Sequence, residues 1–199
     1  EGVMGRRKLS RERVVDLAQD VLDLHGLEAL TLTAVAEAAG VKKPSLYKHV
    51  GGLPDLLAAL RVRAYSRLHR LLRDLSPMDS TLEGLPELAR AWRALALVHP
   101  GLFLLSTQTH LGGSPEVQTT GQLAHDCLLE HIEAWGITGV HALHLLRSLI
   151  ALMHGFASLE AASGFGSRVP VAASLEAAIQ AFGWGWSGWE KFNRRSRNA

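Results

Sequence analysis

Six hydrogen-bond donors crowd one short stretch of the chain: Lys42, Lys43, Ser45, Tyr47, Lys48 and His49. Ammonium, hydroxyl and imidazole groups at this density suit the reading of phosphate oxygens and base edges rather than the making of a covalent bond. Leu46 and Val50 are the two side chains of the stretch suited to burial, so a helix here would rest on two residues and present the others outward. A helix built for packing alone seldom has that composition. The donors also gather towards the N-terminal end, which enters the major groove in a helix-turn-helix and which the helix dipole makes attractive to phosphate.

The flanking residues predict the elements that hold this stretch. Thr33 is placed to cap a preceding helix with an apolar face of Val35, Ala36 and Ala39, its hydroxyl satisfying one of the first free amides. Gly40 ends that helix, because glycine accepts the left-handed backbone, and Val41 anchors the turn. The second helix starts at Lys43 or Pro44, where the missing proline N–H costs nothing. Val14, Leu17, Val21 and Leu24 recur at helical spacing across 10–24. From Pro54 to Leu75 the apolar set is Leu57, Leu60, Ala64, Leu68, Leu71 and Leu75, on a helix of about 30 Å at 1.5 Å per residue. Helix, glycine and helix also occur in purely structural domains; the composition of the second helix favours DNA.

The runs Thr33-Ala34-Val35-Ala36-Glu37-Ala38-Ala39-Gly40-Val41 and Pro44-Ser45-Leu46-Tyr47-Lys48-His49-Val50 resemble the DNA-binding domain of the TetR family of transcriptional regulators. The likeness extends back through Arg13 to Gly26 and forward through Leu53 to Leu75, about the first 75 residues. It implies that Tyr47 lies against a phosphate and that Lys43, Ser45, Lys48 and His49 lie at or near the bases, with Thr33 and Lys42 among the expected DNA contacts. One position departs from the pattern. Many members carry a phosphate-binding lysine at the start of the fourth helix, where this chain reads Gly51-Gly52-Leu53-Pro54. Backbone contacts would then fall to Lys42, Lys43 and the arm Arg6, Arg7 and Lys8, for which an ordinary solvated terminus is the other reading.

At 199 residues and 47% hydrophobic, the chain can bury a sizeable core as one domain or two small ones. Its charge is unevenly spread. Residues 1–75 hold 13 Lys and Arg against 9 Asp and Glu, residues 76–183 hold 4 against 9, and residues 184–199 hold 4 against 1. A basic head on an acidic body suits a head that meets phosphate. Cys127 is the single cysteine, which excludes an intrachain disulfide and a cysteine-rich zinc site and fits a reducing cytoplasm. No stretch reads as the roughly 20 apolar residues that span a bilayer, and the start does not read as a signal peptide.

Beyond a boundary at Ser76 to Ser80, an amphipathic helix is predicted around Leu82 to Leu95, then a short helix around Gly101 to Thr107 and another from Pro115 to Trp135. The next is the most hydrophobic, with Leu143, Leu146, Ile150, Met153 and Ala157 on one face and Leu145, Leu149, Leu152 and Phe156 on another, so it belongs in a core or an interface. A last helix is expected from Val171 to Phe182, with a basic, Trp-rich tail at 184–199 that fits neither pattern. Two apolar helices at this end suggest a homodimeric four-helix bundle. The segment Met153 to Glu160 also resembles the regulatory domain of some members of the same family.

The fold class expected is therefore all-α: a helix-turn-helix DNA-binding domain at 1–53, a connecting helix at 54–75, a ligand-binding and dimerisation domain at 76–183, and the tail. The resemblance implies a pocket for a small apolar effector, with Trp92, Phe103, His110, Trp135, His154 and Phe156 as candidate linings, each explicable singly as ordinary core. His141 and His144, with His125, Asp126 and His131 on the preceding helix, have spacing that metal sites use, but nothing forces them together, and no metal or cofactor is expected. No phosphate-binding glycine loop, nucleophile elbow or carboxylate pair is present. The function expected is a homodimeric, ligand-responsive repressor of a palindromic operator in double-stranded DNA, cytoplasmic and not an enzyme. The alternatives are a small helical enzyme using histidines and a helical module that binds an acidic protein.

Overall fold

The computed structural model describes residues 9–75, 84–107 and 114–197, with side chains to residue 188. The described residues form helices α1 (Arg11–His25), α2 (Leu32–Ala38), α3 (Lys43–Leu46), α4 (Leu53–Asp74), α5 (Leu85–Val98), α6 (Pro100–Thr107), α7 (Pro115–Ala134), α8 (Gly139–Ala161) and α9 (Val171–Arg197). They divide into two compact units, each built from two separate stretches of chain. One comprises residues up to Ser66 and His99–Gly121; the other comprises Arg67–Val98 and Gln122 onward.

In the first unit, α1 packs on α2 and α6, and α2 packs on α3. Val14, Ala18 and Leu22 of α1, Val35 and Ala36 of α2, Leu46, Leu56, Leu60 and Ala64, and Leu102 and Leu105 of α6 share one core. Each fully buried leucine contributes about 1.5 to 3 kcal/mol of apolar transfer, enough to hold helices too short to persist alone. Ser10 caps α1, its Oγ accepting from the Arg13 amide at 3.2 Å, and Gly26 closes it at φ 81°.

Two features of α2 and α4 differ from the sequence expectation. The cap of α2 is Thr31, whose Oγ1 accepts from the Ala34 amide at 3.1 Å, while Thr33 is exposed in the first turn. Starting the helix at Leu32 buries that leucine together with Val35 and Ala36, the i, i+3, i+4 set that faces the core. Along α4 and the residue after it, Leu60, Ala64 and Leu75 are buried as expected, while Leu56, Tyr65 and Leu72 are buried in place of Leu57, Leu68 and Leu71. Leu56-Leu57 and Leu71-Leu72 are both Leu-Leu pairs whose members lie three and four residues from a shared buried position, so periodicity alone left the choice within each pair open.

In the second unit, α5 packs on α9 and α8. Leu85, Leu88 and Trp92 of α5, Leu145, Leu149 and Met153 of α8, and Leu175 and Ile179 of α9 are buried. The Arg93 guanidinium grips the Glu160 carboxylate with two nitrogens, and Arg90 reaches Glu176 at 2.8 Å. By length and composition α8 qualifies as a membrane span, contrary to the expectation that no stretch would. Its buried Ala142, Leu145, Leu146, Leu149, Met153 and Ala157 make it a core helix of this unit instead.

The tail is not a separate element, since α9 runs without interruption from Val171 to Arg197, past the expected end at Phe182. Glycine within a helix costs about 1 kcal/mol relative to alanine, yet Gly183 is buried and accepts from the Ser187 hydroxyl at 3.1 Å. Phe182 and Trp186 meet one turn apart, with ring centroids 6.2 Å apart.

Candidate nucleic-acid interface

The turn between α2 and α3 is made by backbone geometry. Gly40 sits at φ 64°, Val41 N–H donates to the Ala36 carbonyl at 3.0 Å, and Ala39 N–H to the Val35 carbonyl at 3.0 Å. A left-handed position of this kind favours glycine, which is what the sequence places there. Lys42 is the residue before α3, with extended backbone and no side-chain cap, and proline occupies the first turn.

Helix α3 is shorter than expected, four residues of regular helix followed by a turn that carries Tyr47 to His49. The turn remains tight, with Val50 N–H donating to the Leu46 carbonyl at 3.0 Å and His49 N–H donating to the same carbonyl at 2.8 Å. Leu46 is fully buried and Val50 nearly so, and these two side chains fasten the segment. Lys42, Lys43, Tyr47 and Lys48 are exposed, and Ser45 and His49 half-buried. Tyr47 keeps 56% of its surface open, a large exposure for an aromatic ring on an otherwise well-packed unit. Among the described residues no carboxylate pairs with Lys42, Lys43 or Lys48, so their charge faces outward. Arg6, Arg7 and Lys8 lie outside the described residues.

Directly behind this face is an ion pair that no pattern in the sequence marks. Both terminal nitrogens of Arg11 reach the two oxygens of Asp55, each at 2.7 Å. Arg11 Nη1 also donates to the His49 carbonyl at 3.2 Å, and Gly51 N–H donates to Asp55 Oδ2 at 2.7 Å. The Arg11 guanidinium, then the Gly51 amide, hold the Asp55 carboxyl down at about 2, and Asp55 raises Arg11 in return. The one clue was the third position of a helix, where an acidic residue reaches back to a free amide; Gly52 at the cap lacks the Ser or Thr that would have completed the motif.

A second polar group ties α4 and the start of α6 to α1. Gln19, a buried polar side chain, accepts from Arg63 Nη1 at 3.0 Å and donates to Asp23 Oδ2 at 3.2 Å. His99 Nδ1 lies 3.1 Å from both Gln19 Nε2 and Asp23 Oδ2, and Asp23 Oδ1 accepts from the amides of Gly101 and Leu102. Arginine can only donate, so it fixes the Gln19 amide with its nitrogen turned towards His99 and Asp23.

The six candidate ligand residues are not all brought together. Trp92 and His154 meet edge to face in the second unit, ring centroids 5.6 Å apart. Burial pushes the His154 imidazole down to about 4, so it stays neutral near pH 7. Trp135 is buried in the same unit, and Phe156 stacks on Phe165 at 5.4 Å. Phe103 is buried on α6 in the first unit, and His110 lies outside the described residues. A cleft of about 1,090 Å³ in the first unit, with Val15, Leu57, Arg61 and Val62 in its walls, contains none of the six. Of the histidines weighed as metal ligands, His131 donates to the Leu72 carbonyl at 2.8 Å and His125 lies beside Asp126. Among the described residues no three His, Cys, Asp or Glu side chains converge.

Comparison with known proteins agrees with this geometry. Residues 14–60 match the family model described as "Bacterial regulatory proteins, tetR family", and residues 85–182 match "Tetracyclin repressor-like, C-terminal domain". The chain is 33% identical over 154 residues to an HTH-type transcriptional regulator of Mycobacterium tuberculosis, covering 77% of this chain and 71% of that one. It is 32% identical over 108 residues to the class E tetracycline repressor protein of Escherichia coli, 54% of this chain and 49% of the repressor. Among solved structures, a protein from Rhodococcus sp. RHA1 superposes with a TM-score of 0.74 at 27% identity, covering 94% of this chain and 98% of that one.

Proposed function

The chain belongs to the TetR family of transcriptional regulators, DNA-binding proteins rather than enzymes, and on that premise we propose that it is a homodimeric repressor of a palindromic operator, released by a small apolar effector. The observation that carries the reading is the α3 segment, which buries the side chains of Leu46 and Val50 and turns its hydrogen-bond donors outward. Lys43, Ser45, Lys48 and His49 read base edges in the major groove. Tyr47 and Lys42 rest on phosphates, Thr33 joins them from the exposed first turn of α2, and the Arg6, Arg7 and Lys8 arm holds the flanking backbone. The protein does this on cytoplasmic DNA.

Two recognition segments would enter successive major grooves, roughly 34 to 36 Å apart. Exposed apolar side chains on the two C-terminal helices support the second copy: Val140, Leu143 and Leu159 on α8, and Trp184 on α9. Paired with their symmetry mates they would form a four-helix interface. Residues 1–53 are assigned to reading, 54–75 to connection and 76–183 to effector binding and dimerisation. The effector is assigned to the second unit beside Trp92, Trp135, His154 and Phe156, where apolar rings carry few polar edges. Its name as a tetracycline repressor makes the Escherichia coli relative a ligand-linked precedent, and a coupling of about 1 to 3 kcal/mol would suffice here.

Selection of duplexes from a random pool by the full-length protein tests the reading. A recovered palindrome with half-sites one helical turn apart, bound two chains per duplex and weakened steeply by salt, is the expected result. Failure to retard any DNA at low salt would remove it in favour of a module that binds an acidic protein.

A further inference from the structure

We propose that Arg11 and Asp55 are positioning residues for operator recognition: they set the angle of the α3 segment, and so separate operator from other DNA, without themselves contacting it. The inference rests on the DNA-reading function above and adds residues outside the reading helix. α3 is four residues long, with no side-chain cap at its start, and it runs into Gly51 and Gly52, the latter at φ 126°. A segment this short, followed by two glycines, does not fix its own direction through the backbone. The direction is supplied by the ion pair. Arg11 holds the carbonyl of His49, the last candidate base contact, while Asp55 holds the amide of Gly51 two residues on. One guanidinium and one carboxylate thus tie the end of the reading segment to the first residue of α1 and the first turn of α4.

The pair is well formed but open to water, with 51% and 35% of the two side chains exposed. Exposed ion pairs contribute little to stability, so its loss leaves the unit folded. A bidentate guanidinium and carboxylate nevertheless define an orientation closely, because both groups are planar and both bonds must align. The geometry therefore fits a role in aiming better than a role in holding the fold together.

The test uses the full-length protein carrying Arg11→Gln with Asp55→Asn, a double change that leaves net charge unaltered. Binding is measured across a salt series to the selected operator and to a scrambled duplex of equal length. Operator affinity is expected to fall about tenfold, with scrambled-duplex affinity and the salt slope unchanged. Asp55→Glu alone, which keeps the charge and the reach to both partners, is expected to retain operator preference. Three results would overturn the proposal: unchanged operator affinity; a parallel loss on both duplexes with a shallower salt slope, which would make Arg11 a phosphate contact; or loss of helical content in the double variant. If the unsubstituted protein selects no operator, the DNA-reading function has failed and not this refinement of it.

Discussion

Asp23 closes the N-terminus of α6 by accepting from the Gly101 amide at 2.9 Å, and Gly101 is the residue that lets it do so. A Cβ on Gly101 would lie 2.7 Å from the Leu22 carbonyl oxygen, closer than real side chains approach. The seat of α6 on α1 is thus a backbone-to-backbone contact guarded by one carboxylate. Gly101→Ala is expected to lower the stability of the full chain by about 1 to 3 kcal/mol, read as a shift in the urea midpoint. Asp23→Asn, whose side-chain oxygen can still accept from the Gly101 and Leu102 amides but whose nitrogen then faces the Gln19 amide nitrogen in place of an acceptor, should cost about 1 kcal/mol, at the low end of that range. The reverse order would show that the close approach is not the constraint.

The two threonines before the reading segment separate by role. Thr31→Ala removes the cap of α2 and is expected to cost about 1 kcal/mol, whereas Thr33→Ala should leave the unfolding midpoint within about 0.5 kcal/mol of the parent. Equal losses would return the cap to Thr33.

Tyr47 and Lys48 carry the DNA-reading assignment. The double change to alanine is expected to abolish operator-specific retardation while leaving the far-ultraviolet circular dichroism unchanged, since neither side chain is buried. Taken singly, Lys48→Ala should relax preference at one base position, and Tyr47→Ala should weaken operator and scrambled DNA alike. Binding that survives the double change would displace this segment from the groove.

His154 gives the second unit a pH dependence of definite sign. Its folded value of about 4 lies below the ordinary 6.5, so the unfolded chain binds more protons between those limits. Stability from this residue is present above pH 6.5 and is lost as pH falls towards 4. His154→Phe keeps a ring against Trp92 and should flatten this part of the urea midpoint against pH. An unchanged slope would place the titration elsewhere.

Legibility followed chemistry. The turn at Gly40, the burial of Leu46 and Val50 and the outward donors were plain in the residues, because each depends on local backbone or on one helical face. What failed to show were choices between equals. Thr31 and Thr33 both cap well in isolation, and Leu56-Leu57 offers either leucine to the core; tertiary packing decided both. The Arg11 and Asp55 pair joins residues 44 positions apart, beyond any local pattern. Three glycines after Phe182 read as a stop, yet the buried Gly183 and the Phe182 and Trp186 contact carry α9 onward.

Because each unit takes chain from two places, the protein is woven rather than strung. Leu102 and Leu105 of α6 belong to the same buried set as the helix-turn-helix, although they lie nearly 40 residues after α4 leaves that unit at Ser66. No single cut in the chain can therefore release the DNA reader both whole and free of the other unit. A transplant that joined residues 1–75 to a foreign body would carry a reader with two fully buried leucines missing from its floor, so exchange of specificities between relatives has to move α6 along with the head.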